Sequence, residues 1–234
     1  MGKQALAGIE RPLTTVDVAI FTVADESLQV LLVQRPKEPD EPFPGLWALP
    51  GGFVDVERDA DLESCALRKL EEKTGVASPY LEQLGSWGGA KRDPRGWSAT
   101  HAWFALVPRE PGLRPGGNAP DARWFPIDSV PAPLAFDHVE ILAAAVTRLR
   151  NKVEYTSLPA FVLPREFTLT ELQRTYEIVL GRRLEKSAFR TRVLAADLVR
   201  PVGKIRRGPN RPAQMYRLRN PREPVFFART FSPR

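Results

Sequence analysis

Lys69, Glu72 and Lys73 stand at i, i+3 and i+4, so on a helix their side chains share one patch. Carboxylates at this spacing would hold a hard divalent cation, which wants oxygen ligands. This patch instead reads ammonium, carboxylate, ammonium, with a formal charge of +1, and an ammonium cannot ligate a metal. Taken alone, it is a solvated helix face with ion pairs. A second group is Arg92-Asp93-Pro94-Arg95-Gly96, where a planar guanidinium suits bidentate clamping of diphosphate oxygens. By itself that loop is equally an ordinary turn. A third group lies further along. Lys186, Arg190 and Thr191 fall on the side of a helical stretch away from Phe189 and Val193, where a recognition helix meets the major groove. Lys204, Arg206, Arg207 and Arg211 sit at the tip of a hairpin pattern, a place for phosphate contacts or for an arginine entering a minor groove.

The elements that position these groups follow from periodicity. Residues 14–23 and 27–34 alternate or are β-branched around the polar turn Ala24-Asp25-Glu26, which predicts a hairpin. Residues 61–74 have helical periodicity with Leu62, Ala66 and Leu70 on one face, and Gly75 stands in the C-terminal cap position. Strands are expected over 80–87 and 97–107, separated by a charged loop at 91–96, with a Pro/Gly loop at 114–121. A helix capped by Asp137 is expected over 137–150. Two prolines and no sustained period over residues 151–167 place a linker around 151–160. Thr168-x-x-Glu171 is a capping box that opens a helix ended by Gly181. A second helix over 185–197 should bury Phe189, Val193 and Leu194, followed by strand patterns at 198–205 and 214–218. Helix, turn, helix and basic hairpin is the order of a winged helix-turn-helix.

Composition and charge narrow the classes. With 43% hydrophobic and 26% charged residues the chain is expected to fold in solution, and its apolar runs are too short to cross a bilayer. The first ten residues lack the apolar core of a signal peptide, and Leu6 stands where a myristoylation site wants Ser or Thr, so a cytoplasmic location is expected. Cys65 is the one cysteine and is read as a semi-buried helix residue; with His101 and His138 it makes no zinc constellation. The net +6 is not uniform. Residues 1–150 carry 16 Lys+Arg against 21 Asp+Glu, a balance of −5; residues 151–234 carry 18 against 7, a balance of +11. A basic module beside an acidic one is the footprint of a nucleic-acid binder with a second function, and the expected domains are 1–150 and 151–234.

Gly51-Gly52-Phe53-Val54-Asp55 followed by Arg68-Lys69-Leu70-Glu71-Glu72-Lys73-Thr74-Gly75-Val76 resembles the Nudix box, G-x5-E-x7-R-E-U-x-E-E-x-G-U with U aliphatic. Leu49-Pro50 frames it, and Arg68, Leu70 and Glu72 fall in place. Lys69 and Lys73 replace box glutamates, and the glycine-to-arginine spacing is two residues long, so that Arg58 takes the first glutamate's usual position and Glu57 precedes it. The resemblance implies an α/β/α sandwich around a mixed sheet over about residues 12–150. It also implies that carboxylates once held Mg²⁺ where the formal charge has moved from −3 to +1. Arg68, Lys69, Glu72 and Lys73 are then candidate ligand-binding residues in a catalytically degenerate site, with no metal ligands and no cofactor required. The Arg92–Arg95 loop resembles one found in the ADP-ribose pyrophosphatase branch of Nudix enzymes, which adds Arg92 and Arg95. Trp47, Trp87 and Trp97 are near enough to stack a base, although core packing is the commoner role.

A Nudix-like domain followed by Phe167-Thr168-Leu169-Thr170-Glu171-Leu172-Gln173 and Arg207-Gly208-Pro209-Asn210-Arg211-Pro212-Ala213 resembles the Nudix-related transcriptional regulators of NAD metabolism, the NrtR family. That resemblance implies a homodimeric repressor of NAD-synthesis or salvage genes that binds a double-stranded DNA operator, senses ADP-ribose or a related NAD metabolite, and has no membrane partner. The rival reading is an active Mg²⁺-dependent ADP-ribose pyrophosphatase in which Glu57, Glu71 and Glu72 rebuild the metal site. A third reading, an RNA-binding Nudix protein, lacks an aromatic stacking platform in the basic module.

Overall fold

A run of residues buried on both sides, Val16 to Phe21, makes Leu13–Ala24 (β1) the centre of the molecule. Such a strand reads as continuously apolar because each of its faces meets a helical layer. β1 turns into Ser27–Gln34 (β2) through Asp25 and Glu26, both in left-handed backbone (φ 49° and 58°), the two-residue turn whose twist matches an antiparallel pair. Trp47–Ala48 (β3) and Gly51–Phe53 (β4) follow, then the helix Leu62–Thr74 (α1), and the long hairpin Tyr80–Asp93 (β5) and Gly96–Leu106 (β6). Ala122–Pro126 (β7) and the helix His138–Val153 (α2) complete this part. The computed structural model describes residues 11–75, 80–108, 122–207 and 212–231, the side chains of Lys73 and Thr74 apart. The Pro/Gly loop expected at 114–121 lies outside these residues.

The sheet is mixed, in the order β3-β2-β1-β6-β5, with β4 also on β1 and β7 on β2; β1 and β6 run parallel and the other pairs antiparallel. Val16, Val18 and Ile20 face α1 through its Cys65, Ala66 and Leu70. Ala19 and Phe21 face the other layer, which contains Ile141, Leu142, Ala145 and Leu149 of α2. This is the expected α/β/α sandwich. Asp61 caps α1 in a capping box with Ser64, and Gly75 ends it in left-handed backbone (φ 66°). Cys65 is fully rather than partly buried, and burial pushes its thiol up to about 11.

Three expectations are corrected here. β5 continues through Lys91 to Asp93, so the charged loop shrinks to a Pro94-Arg95 turn, because the antiparallel ladder to β6 resumes at Asp93 and Gly96. Asp137 precedes α2 but makes no side-chain cap; its carboxylate is taken by Arg92. The stretch expected as a linker is the end of α2 and a short 3-10 turn, Leu158–Val162, whose five residues are all buried.

Beyond that turn, Phe167–Thr168 (β8), the helix Leu169–Leu180 (α3), the helix Lys186–Ala195 (α4) and the strands Val199–Arg206 (β9) and Ala213–Leu218 (β10) form a winged helix, with β8-β10-β9 as its sheet. Thr168 and Glu171 close the capping box and Gly181 ends α3 at φ 69°. Phe189 and Val193 are buried as expected, but Leu194 is half exposed, since it lies one residue round the helix from the inward face. The winged helix is not separate from the sandwich. Leu172, Tyr176 and Val179 of α3 share one core with Phe21, Phe104 and Leu149. Arg182 pairs with Glu154 at 2.8 and 2.9 Å, Arg150 Nε donates to the Val179 carbonyl (3.2 Å), and Arg174 pairs with Glu26 in the β1–β2 turn. The tail then returns. Val225 O accepts from Ser157 N, and Phe227 N and Phe231 N donate to Tyr155 O and Glu154 O, carrying Phe227 and Phe231 into a ring cluster with Tyr176 and Phe189.

Candidate functional site

The sequence places a glycine pair against β1, and the packing shows why. A Cβ on Gly51 would lie 2.0 Å from Asp17 Oδ1 and 2.6 Å from the Val16 carbonyl, so only glycine lets β4 pass over the Asp17 carboxylate. Gly52 (φ 150°) is covered from the other side by Lys69, whose Nζ would stand 3.0 Å from an added Cβ. Two depressions meet at this strand.

The first is a pocket of about 310 Å³ between β1, the end of β2, β4, the β5–β6 turn and the start of α2. At its floor, buried Asp17 accepts from Arg92 Nη2 (2.9 Å), while Arg92 Nε donates to Asp137 (2.9 Å). His138 accepts the Leu49 N–H on Nδ1 (2.9 Å), which turns its Nε2–H toward Asp17 in a long contact of 3.4 Å. Burial opposes charge on Asp17, but His138 and Arg92 together outweigh it and hold its carboxyl below the usual carboxylate range. The walls are cationic and aromatic. Arg35 and Arg92 lie 5.0 and 5.5 Å from the Phe136 ring, and Arg95 lies 4.9 Å from the Phe53 ring. Phe136 is in left-handed backbone (φ 54°), a strained geometry for a bulky residue and one that clusters at ligand sites. Arg95 clamps Asp93 with Nε and Nη2 (3.0 and 2.8 Å), and Arg35 binds Glu41 (2.7 Å).

The second depression lies on the other side of Phe53 and is lined by 53–58 with Arg68, Lys69 and Glu72. Arg68 is held by carboxylates: it clamps Asp59 through Nε and Nη2 (2.6 and 2.5 Å) and reaches Glu72 (3.1 Å), which raises its own pKa and lowers that of Asp59. Glu72 is crowded by cations, with Arg58 at 3.7 Å and Lys69 at 3.8 Å besides Arg68. These donors do not fit the Mg²⁺ that a Nudix box implies, because the helix carboxylate Glu72 is already paired with three cations and an ammonium occupies the neighbouring position. Nor do Glu57, Glu71 and Glu72 come together as the enzyme reading needs. Among the described residues no three metal-capable side chains cluster, and Glu71 points to solvent a third of a turn from Glu72. The Lys73 side chain is outside the described residues.

Of the expected ligand residues, Arg92 and Arg95 line the pocket and Lys69 stands at its edge over Gly52, whereas Arg68 and Glu72 form an ion-pair network. The tryptophans do not line it: Trp47 packs on Phe125 (4.9 Å), Trp87 against the core, and Trp97 is half exposed. Sequence reasoning missed Asp17, Arg35, Glu41, Phe136 and His138. Asp17 alone left a signal, as a charged residue inside an otherwise apolar strand.

On the winged helix, Lys186 and Arg190 line a groove with Thr170, Gln214 and Tyr216, between α4, the start of α3 and the wing. Thr191 is exposed on the neighbouring side of α4, facing 226–229. Glu185 caps α4, accepting from Ser187 N and Ala188 N (2.8 and 2.5 Å), which lowers its pKa. Lys204 Nζ binds both oxygens of Glu166 (3.1 and 3.0 Å) and Arg206 pairs with Glu171. Arg207 is exposed, and Arg211 lies outside the described residues.

Comparison with known proteins covers both halves. Residues 13–145 match the NUDIX domain model and residues 159–218 match the NrtR DNA-binding winged helix domain. The chain is 49% identical over 207 residues to the ADPR responsive transcriptional repressor NtrR of Acinetobacter baylyi, covering 88% of this chain and 82% of that protein. It superposes on Shewanella oneidensis NrtR bound to a 27mer DNA with a TM-score of 0.83 and 41% identity, over 94% of this chain and 99% of that one. The NUDIX domain of the Shewanella oneidensis protein complexed with ADP ribose matches with a TM-score of 0.55 and 42% identity, over 63% of this chain and 94% of that one.

Proposed function

The chain belongs to the NrtR family, in which a NUDIX domain precedes a DNA-binding winged helix, and from that membership we propose that it is an ADP-ribose-responsive transcriptional repressor of NAD-synthesis or salvage genes. The observation that carries this reading is the joining of a cationic, aromatic-walled pocket and an open basic groove in one packed core. ADP-ribose occupies the pocket with its base against Phe53 or Phe136 and its diphosphate toward Arg95 and Lys69, with Arg92 holding the floor in shape. Lys73, four residues after Lys69 in the sequence, is the second candidate cation. Because the ammonium groups supply the countercharge, binding needs no divalent metal.

Lys186, Arg190 and Thr191 of α4 read the major groove, and Lys204, Arg206, Arg207 and Arg211 of the wing meet phosphates. One recognition helix per chain gains specificity by dimerising across a two-fold operator, so the working form is a homodimer on an inverted repeat. The domains divide near residue 150, with 151–234 as the DNA-binding part. A mobility-shift titration against the gene's own upstream region tests the reading: ADP-ribose should change the affinity by about tenfold or more. An affinity indifferent to ADP-ribose would overturn it, and release of AMP and ribose phosphate at an enzymatic rate would make the protein a hydrolase instead. Sedimentation of a single copy on the operator would overturn the dimer.

A further inference from the structure

Four arginines, Arg165, Arg200, Arg217 and Arg219, ring a cavity of about 420 Å³ with Phe161 and Phe167 in its apolar floor. It lies at the foot of the wing, at the opposite end of β9 from Arg206, and shares no lining residue with the pocket or the groove described above. Its cations are arranged against their own interest. Arg200 and Arg217 are direct partners across the β9–β10 ladder, where like charges destabilise a sheet. No carboxylate lines the cavity, and of the four only Arg219 has an ion pair among the described residues, to Asp197 at 2.7 Å. Arg217 Nε is buried without a hydrogen-bond partner, a donor that is costly to leave unmade.

We propose that this cavity is a second ligand site, for a small organic anion whose acidic group sits between Arg200 and Arg217 and whose apolar body rests on Phe161 and Phe167. An anion there removes the repulsion and satisfies the orphaned donor together. A duplex phosphate would answer the charge but leave the apolar chamber unused, which favours a small molecule over DNA. The walls come from Pro108 after β6, the Leu158–Val162 turn and both wing strands, so an occupant touches the sandwich, the connector and the wing at once.

The test uses the full-length protein with its first pocket filled by saturating ADP-ribose. The probe is 8-anilinonaphthalene-1-sulfonate, followed by fluorescence, with uncharged N-phenyl-1-naphthylamine as its comparison. Arg200→Gln/Arg217→Gln should weaken the sulfonate by about tenfold while the neutral probe changes by less than about twofold. Arg165→Gln, outside the strand pair, should give a smaller loss of the same kind. Unchanged sulfonate binding, or equal weakening of both probes, overturns the proposal. So does a double variant that keeps sulfonate binding but loses DNA affinity with a shallower salt dependence, since those arginines would then serve duplex phosphates.

Discussion

Lys69 is fixed over Gly52, and in the proposed reading its ammonium stands in for the divalent ion that a Nudix helix would recruit. Calorimetry should find equal ADP-ribose affinity in EDTA and in Mg²⁺. Lys69→Glu should lose about tenfold or more in EDTA, by removing one charge-assisted contact and adding a repulsive one, and should regain part of it when Mg²⁺ is added. Wild-type binding abolished by chelation would make the lysine a bystander. Asp17 carries a different expectation. Its folded pKa lies below the unfolded value of about 3.9, so it contributes stability that is present above about pH 4 and is lost as pH falls through the lower folded value. Asp17→Asn leaves Arg92 with Asp137 alone and should cost about 3 kcal/mol at neutral pH. Urea melts should show that difference shrinking as the solution is acidified below pH ~4. The charged residues of the pocket were only partly legible in the sequence. Arg92 and Arg95 stand in a contiguous loop whose chemistry is readable from five letters. Arg35 and His138 reach the same space from the ends of β2 and α2, 103 positions apart, and only the folded sheet brings them together.

At the scale of elements, the wing meets the groove with two of its charges already in use. Lys204 and Arg206 hold Glu166 and Glu171, so in the proposed DNA complex phosphates would displace these carboxylates. Glu166→Gln frees Lys204 without touching the capping box, and filter binding should show tighter association with specific and random duplexes alike. The gain should be up to about fivefold, the range of one exposed ion pair. Lys186→Ala and Arg190→Ala should each weaken the specific complex by about 1–3 kcal/mol where they touch a base edge, and Arg207→Ala should weaken specific and random DNA together. The elements were well foreseen where local chemistry decides. Thr168 with Glu171, Gly75 and Gly181 mark helix ends through bonds made within a few residues, and those boundaries were readable. The extension of β5 to Asp93 was not, because a ladder partner, not the charged letters themselves, keeps Lys91 and Arg92 extended.

For the whole molecule, the decisive feature is that α3 packs beneath β1 and β2 in the same core as α2, with Phe227 and Phe231 bolting the far end. Calorimetric unfolding of the full chain should therefore show one cooperative transition. Phe227→Ala, which empties a buried ring site, should lower stability by about 3 kcal/mol and move tryptophan fluorescence and loss of DNA binding together. Two separated transitions would contradict the shared core. None of this was legible in the sequence: residues 151–167 read as a linker because they hold two prolines and no sustained period, and a buried 3-10 turn opened by Pro159 leaves the same trace. The same feature bears on exchange of parts between regulators. A chimera that grafts this winged helix onto a foreign sensor carries the greasy flank of α3, with Leu172, Tyr176 and Val179, to a surface never shaped to receive it. New operator specificity is better installed by rewriting the solvent side of α4 in place, where Lys186, Ser187 and Thr191 can be exchanged without disturbing anything beneath them.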